Sequence, residues 1–578
     1  MDAKVFKRLP YGNSNFESIQ TENYVFIDKT PFIEKLEEEE NKYLFFIRPR
    51  KFGKSLLLSM LSHYYDIKQA DKFDTLFGDL YIGKHPTPNR NSYMVLNLDF
   101  SGMDTSDEAS FKKSFAGNIQ DTVRGFLNKY SYLVPKADIY FEQIGAEQSG
   151  VNALRKTFNA AEDAGRKLFI IIDEYDHFAN DLIAQGNTSG DDVYRHITRA
   201  NGTVRDFYEI LKAGSKTVID RIMLTGITPI MLDDLTSGFN ISNNLSLKAK
   251  YNEMLGFTQD EVQTLMLETG VDQTLINVDM EFLYNGYLFH EDGAHRVYNP
   301  TMMLYFFHEL REEGKPPKNI IDENLKTDYG RLQRLVNNEP NRLQLLKITQ
   351  DNGVFSDIVA KFPVDKLHDN KYFISLLFYM GLLTIDNTQS GRLRLKIPNY
   401  SIRTIFWEYI EQLTLDRNKD IMISYTDLGN AIWELAYKGN ARAYMDYISR
   451  HIFSCLSNRD LQNFDEKYIK ILLLSGLFQS KLFIPVTEPE VSTGYADIWL
   501  KRSHRLPDIP YEWVWELKYI SKKEEAGKKK DIVKEKLAEA RVQLKKYRDS
   551  HLFAYRTDVR FLSVIFIGKD KYEMEEVQ

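Results

Sequence analysis

The feature that most constrains this chain is a short glycine-lysine-serine segment, Gly53-Lys54-Ser55. It lies between an apolar run, Tyr43–Ile47, which predicts a strand, and a stretch that predicts an amphipathic helix. At such a turn, backbone N–H groups attract phosphate, the lysine adds a positive charge, and the serine hydroxyl binds Mg²⁺. The segment therefore predicts a phosphate-binding loop, although Arg48 stands where the common pattern has glycine.

A second apolar run, 168–172, ends in two acids, Asp173 and Glu174. In a nucleotide site Asp173 would hold Mg²⁺ through water, and Glu174 would polarise the water that attacks the γ-phosphate. Each motif alone has an ordinary explanation, a capped helix start or a strand that ends in polar residues. Because both occur in order, each after a predicted strand, we predict a site for ATP and Mg²⁺.

Continuous apolar runs alternate with amphipathic stretches from Lys42 to about Leu247, which is typical of a parallel sheet flanked by helices. These runs are Tyr43–Ile47, 93–100, 168–172 and 221–225. The last run ends at Thr225, which is placed to sense the γ-phosphate. A strand that simply ends in a turn explains Thr225 equally well.

The length of 578 residues predicts two to four domains. We place the first in residues 1–247, a helical, winged-helix-like middle domain in 248–420, and a further α/β domain in 421–578. The middle domain begins near a predicted helix cap, Thr258 with Glu261. Its winged-helix-like part is the helix and hairpin pattern over 372–397.

The third domain carries a second set of charged residues, Asp497, Glu516 and Lys518. Asp497 closes one predicted strand, and Glu516 and Lys518 lie two apart on the next, so the side chains of Glu516 and Lys518 share one face. Two carboxylates would hold one or two Mg²⁺ ions, and the lysine would orient or deprotonate the attacking water. Two further acids, Glu466 and Glu488, are better explained as solvated carboxylates.

The chain resembles bacterial AAA-ATPase-like proteins that carry a C-terminal PD-(D/E)XK nuclease-superfamily domain. The resemblance spans nearly the whole chain and rests on motifs near 16–19, 24–30, 48–55, 225–228, 237–241, 256–258, 284–287 and 298–300, together with the D…ExK pattern of Asp497, Glu516 and Lys518. It implies an α/β multidomain fold with a P-loop NTPase parallel sheet and a restriction-endonuclease-like C-terminal domain.

The resemblance also implies the residues of the nucleotide site. Arg-Pro-Arg-x-Phe-Gly-Lys-Ser is the usual form of this family's phosphate loop, so we assign the whole loop to nucleotide binding: Arg48, Pro49, Arg50, Lys51, Phe52, Gly53, Lys54 and Ser55. The segment Asp28-Lys29-Thr30 is placed near the adenine end, although a capped helix start explains it better. Three arginines are candidates for an arginine finger, and nothing in the sequence selects one of them: Arg195, Arg199 and Arg205.

The charge of the C-terminal region favours a nucleic-acid partner. From Lys518 to Arg548 there are twelve Lys or Arg against five Asp or Glu, inside a chain of net charge -7. Such a stretch suits a phosphate backbone, although a solvated helix face looks similar. Gln543 lies toward the buried side of the predicted helix, where a contact with the site and packing in the core are equally good explanations.

Several classes of protein are excluded by composition. Cys455 is the only cysteine, so the chain can form no intrachain disulfide and no cysteine-rich metal site. The beginning of the chain has no signal-peptide core, and no apolar run approaches the length of a bilayer span. We therefore expect a cytoplasmic protein with no membrane partner, and a homo-oligomer is left open.

Together these patterns predict an ATPase that gates or positions a Mg²⁺-dependent nuclease acting on DNA, with RNA less favoured. A role in defence against foreign DNA follows only from the pairing of domains. One alternative is a nucleotide-controlled switch whose nuclease-like domain binds nucleic acid or protein without cutting. A scaffold with both sites silent is disfavoured because all the chemistry-bearing residues are present.

Overall fold

The structure is a computed structural model of the 578-residue chain. It describes residues 5–185, 188–198, 202–230, 241–323, 325, 339–367, 369–418, 421–456, 465–487, 489–491, 494–521, 531–568 and 571–577. The chain divides into two compact units. The first comprises Met1–Ile348 and Asn352–Ile402, and the second comprises Thr349–Asp351 and Arg403–Gln578.

The strands are, in chain order, β1 (Tyr43–Ile47), β2 (Met94–Asp99), β3 (Leu168–Asp173), β4 (Ile219–Gly226), β5 (Asn243–Asn244), β6 (Val354–Phe355), β7 (Thr384–Gln389), β8 (Arg392–Lys396), β9 (Phe483–Thr487), β10 (Glu490–Val491), β11 (Gly494–Tyr495), β12 (Ile498–Arg502), β13 (Glu512–Ile520), β14 (Val559–Ile567) and β15 (Lys571–Val577).

The α-helices are α1 (Phe16–Thr21), α2 (Pro31–Glu37), α3 (Lys54–Tyr65), α4 (Phe73–Phe77), α5 (Tyr81–Lys84), α6 (Glu108–Tyr130), α7 (Ala137–Ala146), α8 (Gly150–Asp163), α9 (His177–Gln185), α10 (Thr188–Thr198), α11 (Thr203–Gly214), α12 (Gln259–Thr269), α13 (Met280–Tyr284), α14 (Pro300–Glu313), α15 (Glu339–Asp351), α16 (Asn370–Tyr379), α17 (Tyr400–Arg417), α18 (Tyr425–Trp433), α19 (Ala441–His451), α20 (Glu466–Ser480) and α21 (Asp531–Arg548). Among the described residues, no helix is both long and apolar enough to cross a bilayer.

The first unit is built on a parallel sheet in the order β2-β3-β4-β1-β5. All four predicted strands are present, and β1, β3 and β4 are buried along nearly their whole length. Continuous burial requires helices on both faces, which is why these strands read as unbroken apolar runs. The order puts β4 between β1 and β3, so the carboxyl ends of these three strands meet at one edge.

The middle of the chain confirms two local predictions. Thr258 and Glu261 form a capping box at the start of α12, in which each side chain satisfies a backbone N–H of the other residue. Helix α16 is followed by Gly381, which has a positive φ of 77°, and then by the hairpin β7–β8. Strand β6 pairs with β8, so the hairpin belongs to a three-stranded sheet in the segment for which a winged-helix-like part is predicted.

The second unit contains a mixed sheet in the order β15-β14-β13-β12-β9, in which only the β13–β14 pair is parallel. Strand β13 is covered on both faces. On one face Trp513, Trp515 and Leu517 are buried. On the other face Val514 belongs to a core that includes Leu544 and Tyr547 of α21. Strand β13 therefore carries Glu516 into an apolar, helix-covered interior.

Gly226, at the end of β4, marks the tightest approach around the parallel sheet. A Cβ atom there would lie 2.3 Å from Asp176 Oδ1 and 2.5 Å from the ring of Tyr175. Gly226→Ala should therefore destabilise the first unit by about 1–3 kcal/mol through overpacking, measured as a lower Tm. Gly117→Ala in α6, where a Cβ meets nothing within 4 Å, is the matched control and should be neutral or slightly stabilising. Equal Tm values for the two variants would contradict the packing described at β4.

Candidate functional sites

The loop between β1 and α3 has the backbone of a phosphate-binding turn. Gly53 precedes α3 with a φ of 93°, a left-handed conformation that favours glycine. Lys54 is buried, and its Nζ donates hydrogen bonds to the carbonyl oxygens of Arg48 and Pro49, each at 3.0 Å. Burial lowers the pKa of Lys54, and the nearby charge of Asp173 partly offsets that effect. The turn thus concentrates N–H groups and one ammonium at the start of a twelve-residue helix.

Asp173, at the end of β3, forms hydrogen bonds with residues at the start of α3 and near the end of β4. Its Oδ2 accepts a hydrogen bond from Ser55 Oγ at 2.7 Å, and its Oδ1 accepts one from Thr225 Oγ1 at 2.7 Å. The same Oδ1 accepts the backbone N–H of Glu174 at 2.9 Å. The structure therefore brings together four predicted residues from three distant segments of the sequence. A serine hydroxyl beside a carboxylate is a donor set that suits Mg²⁺.

Glu174 is held by a histidine that sequence reasoning missed. Its Oε2 lies 2.7 Å from Nδ1 of His177, and Nε2 of His177 lies 3.3 Å from Oδ2 of Asp181. The hydrogen bonds to Asp181 and then to Glu174 raise the pKa of His177 to about 9, and the bond to His177 lowers the pKa of Glu174. Glu174 also has a positive φ of 48°. The spacing of three and four residues at the start of a helix was the available signal.

Asp176 is a second residue that the sequence analysis overlooked. Its buried carboxylate accepts hydrogen bonds from the backbone N–H groups of Ile227 and Thr228, from the Thr228 hydroxyl and from the Asn180 amide. It ties the segment after β3 to the segment after β4. The two threonines of the predicted motif 225–228 therefore have different partners. Thr225 contacts Asp173, and Thr228 contacts Asp176.

The remaining loop residues have different surroundings. The buried Arg48 guanidinium donates to the carbonyl oxygens of Ile47, Ser246 and Tyr251, and burial lowers its pKa to about 9. Only its main-chain carbonyl therefore faces Lys54. Phe52 is buried between aromatic rings, and Pro49 lies against Gly381. These three side chains support the loop, whereas Arg50 and Lys51 line a cavity.

That cavity has a volume of about 790 Å³. One end is formed by Arg50, Lys51, Gly53, Lys54, Ser55 and Glu174, and the rest is largely apolar, with Ile19, Val25, Leu57, Met60 and Leu265 among its lining residues. Lys29 also lines it, and its ammonium is bound to both carboxylate oxygens of Glu261 at 2.6 and 2.8 Å. A cavity of this size with one polar end and apolar walls suits a nucleotide.

Asp28 and Thr30 form hydrogen bonds with each other and with the backbone. Asp28 accepts hydrogen bonds from the N–H and the hydroxyl of Thr30 and from the N–H of Tyr81. Helix α2 begins at Pro31, and Thr30 at its N-cap makes no side-chain cap hydrogen bond, so the capped helix start that the sequence favoured for this segment is not formed.

The second unit places its carboxylates at neighbouring strands. Asp497, just before β12, accepts the backbone N–H of Leu517 at 2.8 Å, and Glu516 Oε1 lies 2.7 Å from Lys518 Nζ. Burial and then the charge of Asp497 raise the pKa of Glu516 to about 7. Although burial opposes it, the bond to Glu516 leaves the pKa of Lys518 raised. Asp497, Glu516 and Lys518 therefore form one electrostatically coupled site.

Two residues of α20 belong to the same neighbourhood. Lys470 is buried, and its Nζ lies 3.8 Å from Asp497 Oδ1. Glu466 is half-buried, and burial is the largest cause of its raised pKa, with Lys518 and Asp497 also acting on it. Glu466 is therefore close to the site and is not the fully solvated carboxylate that the sequence favoured. Glu488 lies outside the described residues.

The metal-binding capacity of this site is modest. Among the described residues no group of three or more His, Cys, Asp or Glu side chains is arranged to hold a metal ion. The buried Oε2 of Glu516 has no hydrogen-bond partner within the protein. A pair of carboxylates with one unsatisfied oxygen fits Mg²⁺, because that ion is commonly held by one or two carboxylates with water and substrate phosphate completing its shell.

The basic stretch is only partly described. Lys545 and Lys546 are exposed on α21, whereas Lys528, Lys529 and Lys530 lie outside the described residues. Gln543 is half-buried, and its Oε1 has no hydrogen-bond partner within the protein. Of the candidate arginines, Arg199 is outside the described residues, and so is the motif 237–241 apart from its last residue.

Comparison with known protein families gives a match for each of the two regions that carry a candidate site. Residues 10–236 match the family model for a predicted AAA-ATPase, and residues 464–576 match the model for the PD-(D/E)XK nuclease superfamily. The chain joins an AAA-ATPase-like domain to a PD-(D/E)XK nuclease superfamily domain. The phosphate loop and Asp173 fall within the ATPase match, and Asp497, Glu516 and Lys518 fall within the nuclease match.

Individual relatives are distant. An uncharacterized protein in the vnfD 5′ region of Azotobacter chroococcum mcd 1 is 23% identical over 412 residues, which cover 69% of this chain and 68% of the relative. Among solved structures, the Walker-type ATPase PABY2304 of Pyrococcus abyssi is 12% identical with a TM-score of 0.39, covering 65% of this chain and 94% of its own. The Aeropyrum pernix ORC1 protein in complex with DNA is 8% identical with a TM-score of 0.28, covering 72% and 100%.

The His177 ion pairs of the ATPase-like domain predict a pH dependence of stability. The pKa of His177 in the folded chain, about 9, lies above its unfolded value. The stabilisation is therefore complete below about pH 6.5 and is lost as pH rises through about 9. His177→Asn should lower Tm at pH 6 and have little effect at pH 10, measured by thermal unfolding. His85→Gln, at an exposed histidine, is the control, and a Tm loss of His177→Asn that does not change with pH would contradict the charged pair.

Proposed function

We propose that the AAA-ATPase-like domain binds ATP with Mg²⁺ and hydrolyses it. The observation that carries this proposal is the convergence of Ser55, Thr225 and Glu174 on Asp173. Ser55 and Glu174 line the cavity together with Lys54. Lys54 would bind the β- and γ-phosphates, and Ser55 with Asp173 would hold Mg²⁺. The apolar walls of the cavity would take the base.

Glu174 would act as the base that orients and deprotonates the attacking water. It lines the cavity, and its carboxylate is fixed by His177 on one oxygen. Thr225 would hold Asp173 in place through its hydroxyl. Bound Mg²⁺ neutralises charge on the transferring phosphoryl group, so the remaining task of these side chains is positioning.

We further propose that the C-terminal domain is a Mg²⁺-dependent nuclease acting on DNA, with RNA less favoured. The coupled set of Asp497, Glu516 and Lys518 supports this proposal. Asp497 and Glu516 would hold the metal, whose charge would lower the pKa of a bound water and offset negative charge on the scissile phosphate. Lys518 would orient the water or take its proton. The exposed Lys545 and Lys546 would add affinity for the phosphate backbone.

ATP turnover would gate or position the nuclease, and the paired domains would suit defence against foreign DNA. The alternative is a nucleotide-controlled switch whose nuclease-like domain binds without cutting. The scarcity of further acidic ligands among the described residues is the feature that favours this alternative. Cleavage assays decide between the two.

The ATPase proposal predicts a split between binding and turnover. Lys54→Ala removes the ammonium that the carbonyl oxygens of Arg48 and Pro49 hold in the loop, and it should abolish Mg-ATP binding in calorimetry. Glu174→Gln removes the base but keeps the cavity, so it should bind ATP with about wild-type affinity and lose about 10²-fold or more in turnover. Lys113→Ala, at an exposed site on α6, should match the wild type. Undiminished ATP affinity in Lys54→Ala would show that the site is misplaced.

The nuclease proposal predicts metal-dependent cleavage that requires two carboxylates. The wild type should cut DNA in Mg²⁺ or Mn²⁺ but not in chelator, while Asp497→Ala and Glu516→Ala should cut at least about 10²-fold more slowly and retain ATP turnover. Lys518→Ala should keep metal binding and lose rate. Glu535→Ala, at an exposed acid on α21, is the charge-matched control.

These cleavage assays are run on single- and double-stranded DNA and RNA, with and without ATP. Cutting that survives both carboxylate substitutions would rule out this site. Absence of cutting by the wild type under every condition would favour the switch.

A further inference from the structure

Two segments that are distant in the sequence line the apolar part of the cavity in the AAA-ATPase-like domain. Residues 10–29, here called the N-terminal wall, contribute Val25 among others. Residues 255–265, here called the α12 wall, contribute Leu255 and Leu265. All three of these side chains are buried. Apolar walls of this kind suit the faces of a nucleotide base and do not suit its phosphates.

Each wall is attached to the phosphate loop or to the helix that follows it. In the N-terminal wall, the backbone N–H of Phe16 donates a hydrogen bond to Ser59 Oγ of α3 at 3.0 Å. In the α12 wall, Leu255 packs on the loop, because a Cβ atom at Gly53 would lie 3.9 Å from Leu255 Cδ2. The separation of the two walls beyond the loop therefore depends on the contacts that they make with each other.

Two contacts join these segments, one on each side of Leu265. The Lys29 ammonium lies 2.6 and 2.8 Å from the two carboxylate oxygens of Glu261. Seven residues later on α12, about 10 Å along the helix axis, the carbonyl oxygen of Glu268 accepts the backbone N–H of Lys7 at 3.0 Å. The Lys29 side chain is 11% exposed and that of Lys7 is 44% exposed. The Lys29 ion pair is therefore the one that solvent screens less.

The ammonium of Lys29 is fully occupied by this link. It has three N–H donors, and its acceptors are the two oxygens of Glu261 and the carbonyl oxygen of Glu253, the last at 3.0 Å. Glu261 has a second task, because its Oε2 accepts the backbone N–H of Thr258 in the capping box of α12. A change at Lys29 therefore breaks the link between the walls and leaves the cap of α12 in place.

We propose that Lys29 is a positioning residue that, through Glu261, holds the two walls at the separation that binds the base of ATP. This inference rests on the proposed ATPase function. A slot that is already formed binds a flat base without the cost of ordering a loose wall, so the link acts on affinity. The side chains assigned to hydrolysis are held by other contacts, so the link does not act on the chemical step.

The first test is Lys29→Met in the full-length chain, which keeps the length of the side chain and removes its donors. Calorimetric Mg-ATP affinity should fall about tenfold because the walls are no longer joined. At saturating ATP, kcat should stay within about threefold of the wild type, as expected when a change removes binding alone. Lys42→Met, which breaks the more exposed ion pair with Asp220, is the matched control and should change neither quantity.

A double variant separates positioning from stability. Lys29→Met should also lower Tm, because the carboxylate of Glu261 loses its cation. Adding Glu261→Gln removes that charge and keeps an acceptor for the N–H of Thr258. Tm should then recover, while Mg-ATP affinity stays low because the walls remain unjoined. Recovery of affinity together with Tm would show that Lys29 acts through stability alone and would overturn the inference.

Three further results have a defined meaning. Mg-ATP affinity of Lys29→Met within about twofold of the wild type, or a loss in kcat as large as the loss in affinity, would overturn the inference and leave the ATPase proposal intact. A wild type that does not bind Mg-ATP would contradict both. If Lys29→Met alone does not fold, the double variant, which has no unpaired charge, gives the same measurement.

Discussion

The ATPase-like site depends on one carboxylate. Asp173 accepts hydrogen bonds from Ser55 at the start of α3 and from Thr225 near the end of β4, while standing itself at the end of β3. These groups are distant in sequence and meet because the parallel order puts the three strand ends at one edge. Without Asp173, the hydroxyls of Ser55 and Thr225 would lose a shared acceptor, and the proposed metal site would lose its carboxylate.

Much of the fold could be predicted because buried elements have recognisable patterns of apolar residues. Strands covered on both faces need unbroken apolar runs, so β1, β3 and β4 were readable to within a few residues. The two-residue alternation of β13 placed Glu516 and Lys518 on one face, where the structure puts them in contact. The capping box of Thr258 was equally readable, since it depends on local spacing alone.

The contacts between distant segments could not be predicted in the same way. Arg48 has the charge of a phosphate ligand, yet its guanidinium is directed to Ser246 and Tyr251, about two hundred residues away in sequence. Asp176 reads as one more acid after β3, and only the approach of Gly226 and Thr228 shows that it ties two strand ends together. His177 was the exception, because its spacing from Glu174 and Asp181 was local and could have been noticed.

In the two candidate sites, the surrounding residues shift the pKa of a glutamate in opposite directions. In the ATPase-like domain, Glu174 is kept ionised by a histidine cation, as suits a base that must accept a proton. In the nuclease-superfamily domain, burial and Asp497 raise the pKa of Glu516 to about 7, so a divalent cation would be needed to keep both carboxylates charged.

In the proposed function, Asp173 makes ATP binding at the nucleotide site depend on Mg²⁺. The direct measurement is calorimetric ATP affinity with and without Mg²⁺ in the wild type and Asp173→Asn. The account predicts that Mg²⁺ strengthens ATP binding in the wild type and has little effect in the variant. An equal effect of Mg²⁺ on both chains would contradict it.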